Sequence, residues 1–585
     1  MTVYVSKLEV RNYRSCVETE LDLSPFTALI GRNNCGKSNC LSALQWLVRK
    51  STLAVDDFND AARPIEVVGV LDDITDADLN TLETTHRNRI QAHVVGGRLT
   101  IRRTQAAPKV ASSLAVFNSA SNEWVPNPAG IDQALQALFP DPIRIGAMEN
   151  AEEDASKAKT STTIGKLLAT MLTSIRERHE ADLSPHLESI TSMLSAAGTN
   201  RFEELGRLDT SINEKIGDLF PGMSIKLDFP VPAMEDLIKA GSVCVYEGGG
   251  PGRPFGFYGH GAQRAIQMAL VRHLAEVKRG EGVNGGATLL LVDEPELYLH
   301  PFAVEQVREA LRTLSSSGYQ VVFSTHSGQM VLSSDAKNAL LMTKEPDLGT
   351  KARPRMEQVI KEREQNAGHQ MAQLFSLTNS SQILFADKVI LTEGKTELRL
   401  LPGIFNAVSG RTLGQACMAL VAQSGGNDTR KSMDILGALG LPSCAVVDLD
   451  FAFRRAIAHG LLIADDEDLA ACKRVLVRLA GDGSIKLDGS GLPVNKEALV
   501  PAAQAYVLMA ADPEAATHVD NLVSKLREQR VWLWRMGAIE AHLGLSEKKE
   551  SAWLEFQMRC QEHGLEQSCA DYAGVKELVE WMAAT

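Results

Sequence analysis

Two acidic constellations and one glycine-rich loop carry the chemistry that can be read from this chain. In ILTEGKTELRL an apolar strand runs into Glu393 and Gly394, and Glu397 follows in the first turn of the next helix. A carboxylate in a first turn is favoured by the helix dipole, so Glu397 alone reads as a cap. Glu393 closes a strand and caps nothing. Further along, the apolar CAVV runs into Asp448-Leu449-Asp450. Neighbouring parallel strands would set these acids at their carboxyl edges, where open α/β sheets bind ligands. Carboxylates gathered in this way repel one another unless cations sit between them. Hard oxygen donors favour Mg2+ or Mn2+, with Ca2+ as a further alternative. WRMGAIEAHLG places Glu540 after another strand, as an additional ligand.

The loop GRNNCGKS, residues 31–38, lies between the apolar strand FTALI and a helix. That context suits a phosphate cradle. Backbone N–H groups of Gly31, Asn33, Asn34 and Gly36 can surround the phosphates of ATP, Lys37 can reach the β and γ oxygens, and Ser38 can ligate Mg2+. LLLVDEPE supplies the partner acids: Asp293 to hold that Mg2+ through water, Glu294 to polarise the attacking water. GHGAQR, with Gly261 and Gln263, precedes another helix, and FSTHS sets His326 at a strand end.

These residues need a scaffold of strands and helices, and 585 residues exceed what one core supports. VYVSKLEVRNY, PIEVVGVLDDI and GRLTIRRTQ read as strands beside the phosphate loop. From 161 to 220 the pattern turns helical: Leu168, Met171, Leu172 and Ile175, then Leu183, Leu187, Ile190 and Leu194, then Leu205, Leu208, Ile212, Ile216 and Leu219. Such an insert could pair with a second copy or lie flat on its own domain. KEPDLGTKARPR opens a polar linker over 346–381, and three strands alternating with helices begin a new α/β unit near 382. The expected domains are therefore 1–160 with 221–345, the helical insert 161–220 and a second domain 382–585 with a helical end. No apolar run spans a bilayer and the nine cysteines form no CxxC pair, so the chain reads as cytoplasmic, reduced and without a membrane partner. A net charge of −13 excludes a generally basic nucleic-acid coat but leaves room for a local basic groove. KARPR (351–355) and the arginines of FRR (453–455) are the candidates for one.

Phosphate loop, GHGAQR, acidic pair and His326 stand in the order that resembles ABC-type ATPases of the chromosome-maintenance and recombination-repair type. That resemblance implies that Gly261 and Gln263 complete the γ-phosphate site of an opposite subunit and that His326 is the switch histidine. A glutamate before glycine, then DxD at a later strand end, resembles the Toprim fold of topoisomerases, primases and some nucleases, with QSGGN (423–427) as the intervening glycine turn. Together the halves resemble the OLD (overcoming lysogenisation defect) family of ATP-dependent nucleases. The implied fold is α/β: an ABC-type P-loop ATPase head with a helical insert, then a Toprim domain with a helical C-terminal part. The implied activity is ATPase and Mg2+- or Mn2+-dependent deoxyribonuclease, serving anti-phage defence or phage exclusion. Glu294, His326, Glu393 and Asp448 would be catalytic, and Ser38, Asp293, Glu393, Glu397, Asp448, Asp450 and Glu540 would meet metal. DNA, a homodimer or higher homo-oligomer and an accessory protein are the implied partners. Two other readings stay open. One is an ATPase scaffold or sensor like SMC and RecF proteins; the other is a topoisomerase- or primase-like Toprim enzyme using Tyr506 or Tyr572.

Overall fold

A computed structural model of the chain describes residues 3–139, 142–147, 163–232, 243–281, 288–331, 338–355, 358, 380–423 and 428–584. The chain divides into two compact units, Met1–Ala28 with Ser38–Met330 and Leu29–Lys37 with Val331–Thr585. The division runs through the phosphate loop.

In the first unit, β1 (Tyr4–Tyr13) and β2 (Cys16–Asp22) pair antiparallel. The division cuts the next strand, β3 (Phe26–Gly31). β4 (Ile65–Asp72), β5 (Leu99–Gln105), β6 (Ser113–Asn118) and β7 (Glu123–Pro126) extend β1 as successive antiparallel neighbours. β4 and β5 alternate buried and half-buried residues without a break, the period-two signature of a sheet with one face on the core. The other side of the unit is built differently. β8 (Ile143–Ile145), β9 (Thr288–Asp293) and β10 (Tyr319–Thr325) run parallel, with Leu291 opposite Arg144 and Asp293 opposite Ser324. Every residue of β10 is buried, as expected for a strand covered on both faces.

The helical insert comprises helices Thr163–Leu194 and Glu203–Leu219. The side chains of Leu168, Met171, Leu172, Ile175 and Leu219 lie outside the described residues. Of the other apolar positions, Leu183, Ile190 and Leu208 are exposed in the single chain.

In the second unit, the end of β3 pairs in parallel with β11 (Leu340–Glu345), which pairs antiparallel with β12 (Gly349–Ala352). β12 falls inside the stretch read as a linker; its polar sequence hid a short strand, and 359–379 lie outside the described residues. Gly31 must be glycine here, because a Cβ would sit 2.4 Å from the Met342 carbonyl oxygen. The main sheet is parallel: β13 (Lys388–Thr392), β14 (Met418–Ala422), β15 (Ser443–Val447) and β16 (Val531–Leu533), ordered β14-β13-β15-β16. Helices Lys395–Ser409 and Thr429–Ala438 make the crossovers. Ile390, Leu401, Phe405, Trp532 and Trp534 form one core with Trp553, Phe556, Val575, Leu578 and Met582 from the C-terminal helices. The helical end is thus part of the domain's core, and truncating a residue such as Trp534 would cost about 3–5 kcal/mol. Among the described residues, no helix is long and apolar enough to cross a membrane.

Candidate active sites

The phosphate loop holds itself closed through its lysine. Buried Lys37 donates from Nζ to the Gly31 and Arg32 carbonyls, each at 2.9 Å. Gly36 sits at φ +100°, a conformation that disfavours any side chain. Asn33 and Asn34 are exposed.

In the first unit, Ser38, Asp293, Glu294 and His326 come together. Ser38 Oγ donates to Asp293 Oδ1 at 2.9 Å, and Ser324 Oγ donates to the same oxygen at 2.8 Å. Asp293 Oδ2 is held by Arg144 Nη2 at 2.5 Å, so the carboxylate is already neutralised by a strand-borne cation. Glu294 turns the chain at φ +46°, with its N–H on the Ser324 carbonyl at 3.0 Å. Its Oε1 lies 3.1 Å from His326 Nε2. A carboxylate oriented by an imidazole is a competent acceptor for a water proton. Gly261 and Gln263 lie at the start of helix His260–Glu281, where Gln263 Nε2 donates to the Tyr258 carbonyl at 2.6 Å. The next residue fixes that helix to the acids: buried Arg264 donates to the carbonyls of Asp293 and Glu294.

In the second unit, the two strand ends that carry Glu393 and Asp448 are adjacent. They are bonded directly, the Asp448 N–H donating to Glu393 Oε2 at 3.2 Å. Glu397 is buried, and so is Glu540 in the first turn of helix Ile539–Leu543. Thr396 Oγ1 donates to Glu540 Oε1 at 2.6 Å, tying the two helix starts together. Asp450 opens helix Asp450–Arg454 and lies 3.9 Å from Arg454 Nε.

The electrostatics of this cluster are those of crowded acids. Burial, then the charge of Asp450, raises Glu393 above the usual carboxylate range. Burial, with the charges of Glu540 and Glu393, lifts Glu397 to about 7. Burial raises Asp448 well above the ordinary value, against the pull of Lys548. Burial also raises Asp450, with Arg454 opposing it. Glu397 is thus a buried first-turn acid rather than a solvated one.

Two of the cations that stand against these acids are Arg454, beside Asp450, and Lys548. Lys548 Nζ lies 3.0 Å from Asp448 Oδ2 and 3.4 Å from Glu540 Oε2. Among the described residues, no three His, Cys, Asp or Glu side chains converge closely enough to hold an ion as they stand. The donor set nonetheless fits a hard divalent ion. All its members are carboxylates, and Asp448 Oδ1 is buried without a hydrogen-bond partner.

Sequence reasoning missed Lys548, Arg144 and Arg264. Arg144 and Lys548 reach acids 149 and 100 residues away, and no local pattern announces such contacts. Arg264 stood inside GHGAQR without a role. The basic stretches divide on inspection. Arg353 donates to the Gly440 carbonyl, Arg355 to Asn338 Oδ1 and Arg454 to the Pro493 carbonyl, whereas Arg455 is exposed. Arg535, next to the late glycine segment, pairs with Asp520. In QSGGN, residues 424–427 lie outside the described residues, while Gln423 is bonded to Thr429 and Ser432.

Comparison with known proteins finds relatives of both halves of the chain. Residues 26–333 match an AAA domain model whose description also mentions an AbiEii toxin and type IV toxin–antitoxin systems. Residues 384–450 match the TOPRIM domain of overcoming lysogenization defect protein-like sequences. The chain is 35% identical over 566 residues to the Old nuclease of Escherichia phage P2, covering 94% of this chain and 95% of that protein. It is 24% identical over 483 residues to the OLD nuclease of Thermus scotoductus, covering 76% and 82%. Among solved structures, an Smc head bound to the C-winged helix domain of ScpA matches at 17% identity. It covers 61% of this chain and 99% of that one, but its TM-score of 0.37 is too low to bear on function. With a relative so similar along nearly the whole of both chains, this chain belongs to the OLD (overcoming lysogenisation defect) family.

Proposed function

We propose that the chain is an ATP-dependent nuclease that cleaves DNA at the Glu393–Asp448 cluster and turns over ATP at the Ser38–Asp293–Glu294 site. One observation carries the reading: two adjacent parallel strand ends, bonded from the Asp448 N–H to Glu393 Oε2, flank a buried Asp448 oxygen without a partner. Glu393, Asp448 and Asp450 would hold Mg2+ or Mn2+, with Glu397 and Glu540 as further ligands. Such an ion would acidify a bound water and neutralise the leaving oxygen of the phosphodiester. Thr396 fixes the carboxylate of Glu540, and the Asp448 backbone fixes that of Glu393, so the acids meet a substrate phosphate already oriented.

At the ATP site, Lys37 would turn from its two loop carbonyls to phosphate oxygens, and Ser38, with Asp293 through water, would hold Mg2+. Glu294 accepts the proton of the attacking water while His326 orients it. Gly261 and Gln263 serve the γ-phosphate of a second copy. The exposed Leu183, Ile190 and Leu208 support pairing through the helical insert. A cytoplasmic dimer or larger homo-oligomer acting in anti-phage defence, with or without an accessory protein, completes the reading. The topoisomerase alternative loses support at Tyr506, which is buried with its ring 5.4 Å from that of Phe453.

The test is cleavage of supercoiled and linear DNA with Mg2+, Mn2+ or chelator, with and without ATP. Metal-dependent cleavage is expected in the wild type and absent in Asp448→Ala, with ATP hydrolysis retained. Undiminished cleavage by Asp448→Ala would sink the assignment.

A further inference from the structure

The nuclease acids already have a cation, and its position in the chain matters. Lys548 bridges Asp448, at the end of β15, and Glu540, in the turn of a separate helix. It belongs to no helix or strand, lying between helices Ile539–Leu543 and Glu550–His563. Its side chain is 54% exposed although its ammonium meets carboxylates that are nearly buried. A lysine stem so placed can rotate its head into water without breaking a backbone hydrogen bond of either helix. Its neighbour Lys549 is engaged separately, with Glu547 at 2.5 Å.

We propose that Lys548 is a resident counter-cation that gates metal loading: it holds the nuclease carboxylates together and must swing out for a divalent ion to enter. The proposal rests on the nuclease reading above. Asp448 Oδ2 and Glu540 Oε2 face the ammonium, and both are oxygens a divalent ion would need. An ammonium and a divalent cation repel strongly at such range in a site of low dielectric. The two therefore compete for the same oxygens. The consequence is a nuclease site that stays assembled without metal yet takes up metal only at the cost of expelling its own lysine.

The experiment is a Mn2+ titration by calorimetry, without nucleotide, on the full chain. Wild type, Lys548→Met, Lys548→Arg and Asp448→Ala are compared, with thermal melts of the metal-free proteins alongside. In Lys548→Met the Mn2+ dissociation constant should fall at least about tenfold, while Lys548→Arg stays within about threefold of wild type. The metal-free Lys548→Met protein should melt lower than wild type, and saturating Mn2+ should bring the two together. Asp448→Ala should lose the binding event, placing it at these acids. Unchanged or weaker Mn2+ binding by a folded Lys548→Met protein overturns the gate and leaves the nuclease reading standing. Failure of every variant and of the wild type to bind Mn2+ overturns the nuclease reading, and the gate with it.

Discussion

The ATP site and the nuclease site solve the same electrostatic problem in opposite ways. Each gathers carboxylates at the ends of parallel strands, and each sets a basic side chain against them. At the ATP site that side chain is Arg144, on β8, with 17% of its side chain exposed and bonded to Asp293 Oδ2 and the Ser38 carbonyl in the same unit. At the nuclease site it is Lys548, on a connecting segment and half in water. A guanidinium on a strand is a fixture, whereas an ammonium on a loop is a movable part. The difference fits what each site must do. Asp293 is oriented by Ser324, Ser38 and Arg144. The nuclease acids are crowded, and Asp448 and Glu540 share the Lys548 ammonium.

The comparison can be broken at either end. The largest effect belongs to Glu393→Gln, which removes one strand-end acid while preserving its shape. Cleavage should fall by about a thousandfold with ATP turnover within about twofold of wild type, read by plasmid nicking and phosphate release. Glu294→Gln should produce the reverse, slowing ATP turnover by about a hundredfold while Mn2+ binding at the nuclease acids persists. If either variant lowered both activities together, the two sites would not be chemically separate.

Arg144→Ala sharpens the contrast between fixture and movable part. It strands Asp293 in a nearly buried position, and loss of one partner of such a pair costs about 3 kcal/mol in denaturant unfolding. A change near zero would mean that the arginine does not clamp the acid.

The smallest effect is in pH. Glu397 keeps its proton to about 7 in the folded chain against 4.5 for the ordinary group, and it faces Glu540, Glu393 and Lys548. Through Glu397 the folded state therefore binds more protons than the unfolded one between these values, so the contribution of this group to stability is full below 4.5 and is lost as pH rises to about 7. Metal-free protein should melt lower at neutral pH than near pH 5, and Mn2+ should erase most of the difference. A flat profile would show that Glu397 is solvated after all.

Much of this was legible in the sequence because strand-end acids and a phosphate loop are local features. Glu393, Asp448 and Asp293 each stand at the end of a largely apolar strand, and the first two are neighbours because their strands pair in parallel. Glu397 was ambiguous, since a first-turn glutamate is written identically whether it caps a helix or enters a buried cluster. The basic partners were not legible. Lys548 stands in SEKKES, which reads as a solvated turn, and only the fold carries it to Asp448. Likewise, nothing in IRIG marks Arg144 as the partner of an acid 149 residues away. The short strand Gly349–Ala352 was hidden for a related reason, its four residues being too few and too polar to show a period.

The most direct measurement is the number of Mn2+ ions bound without nucleotide by the wild type and by Asp448→Ala, read by calorimetry. The account predicts a binding event in the wild type that is absent from the variant while both remain folded. Equal binding in the two proteins would contradict it.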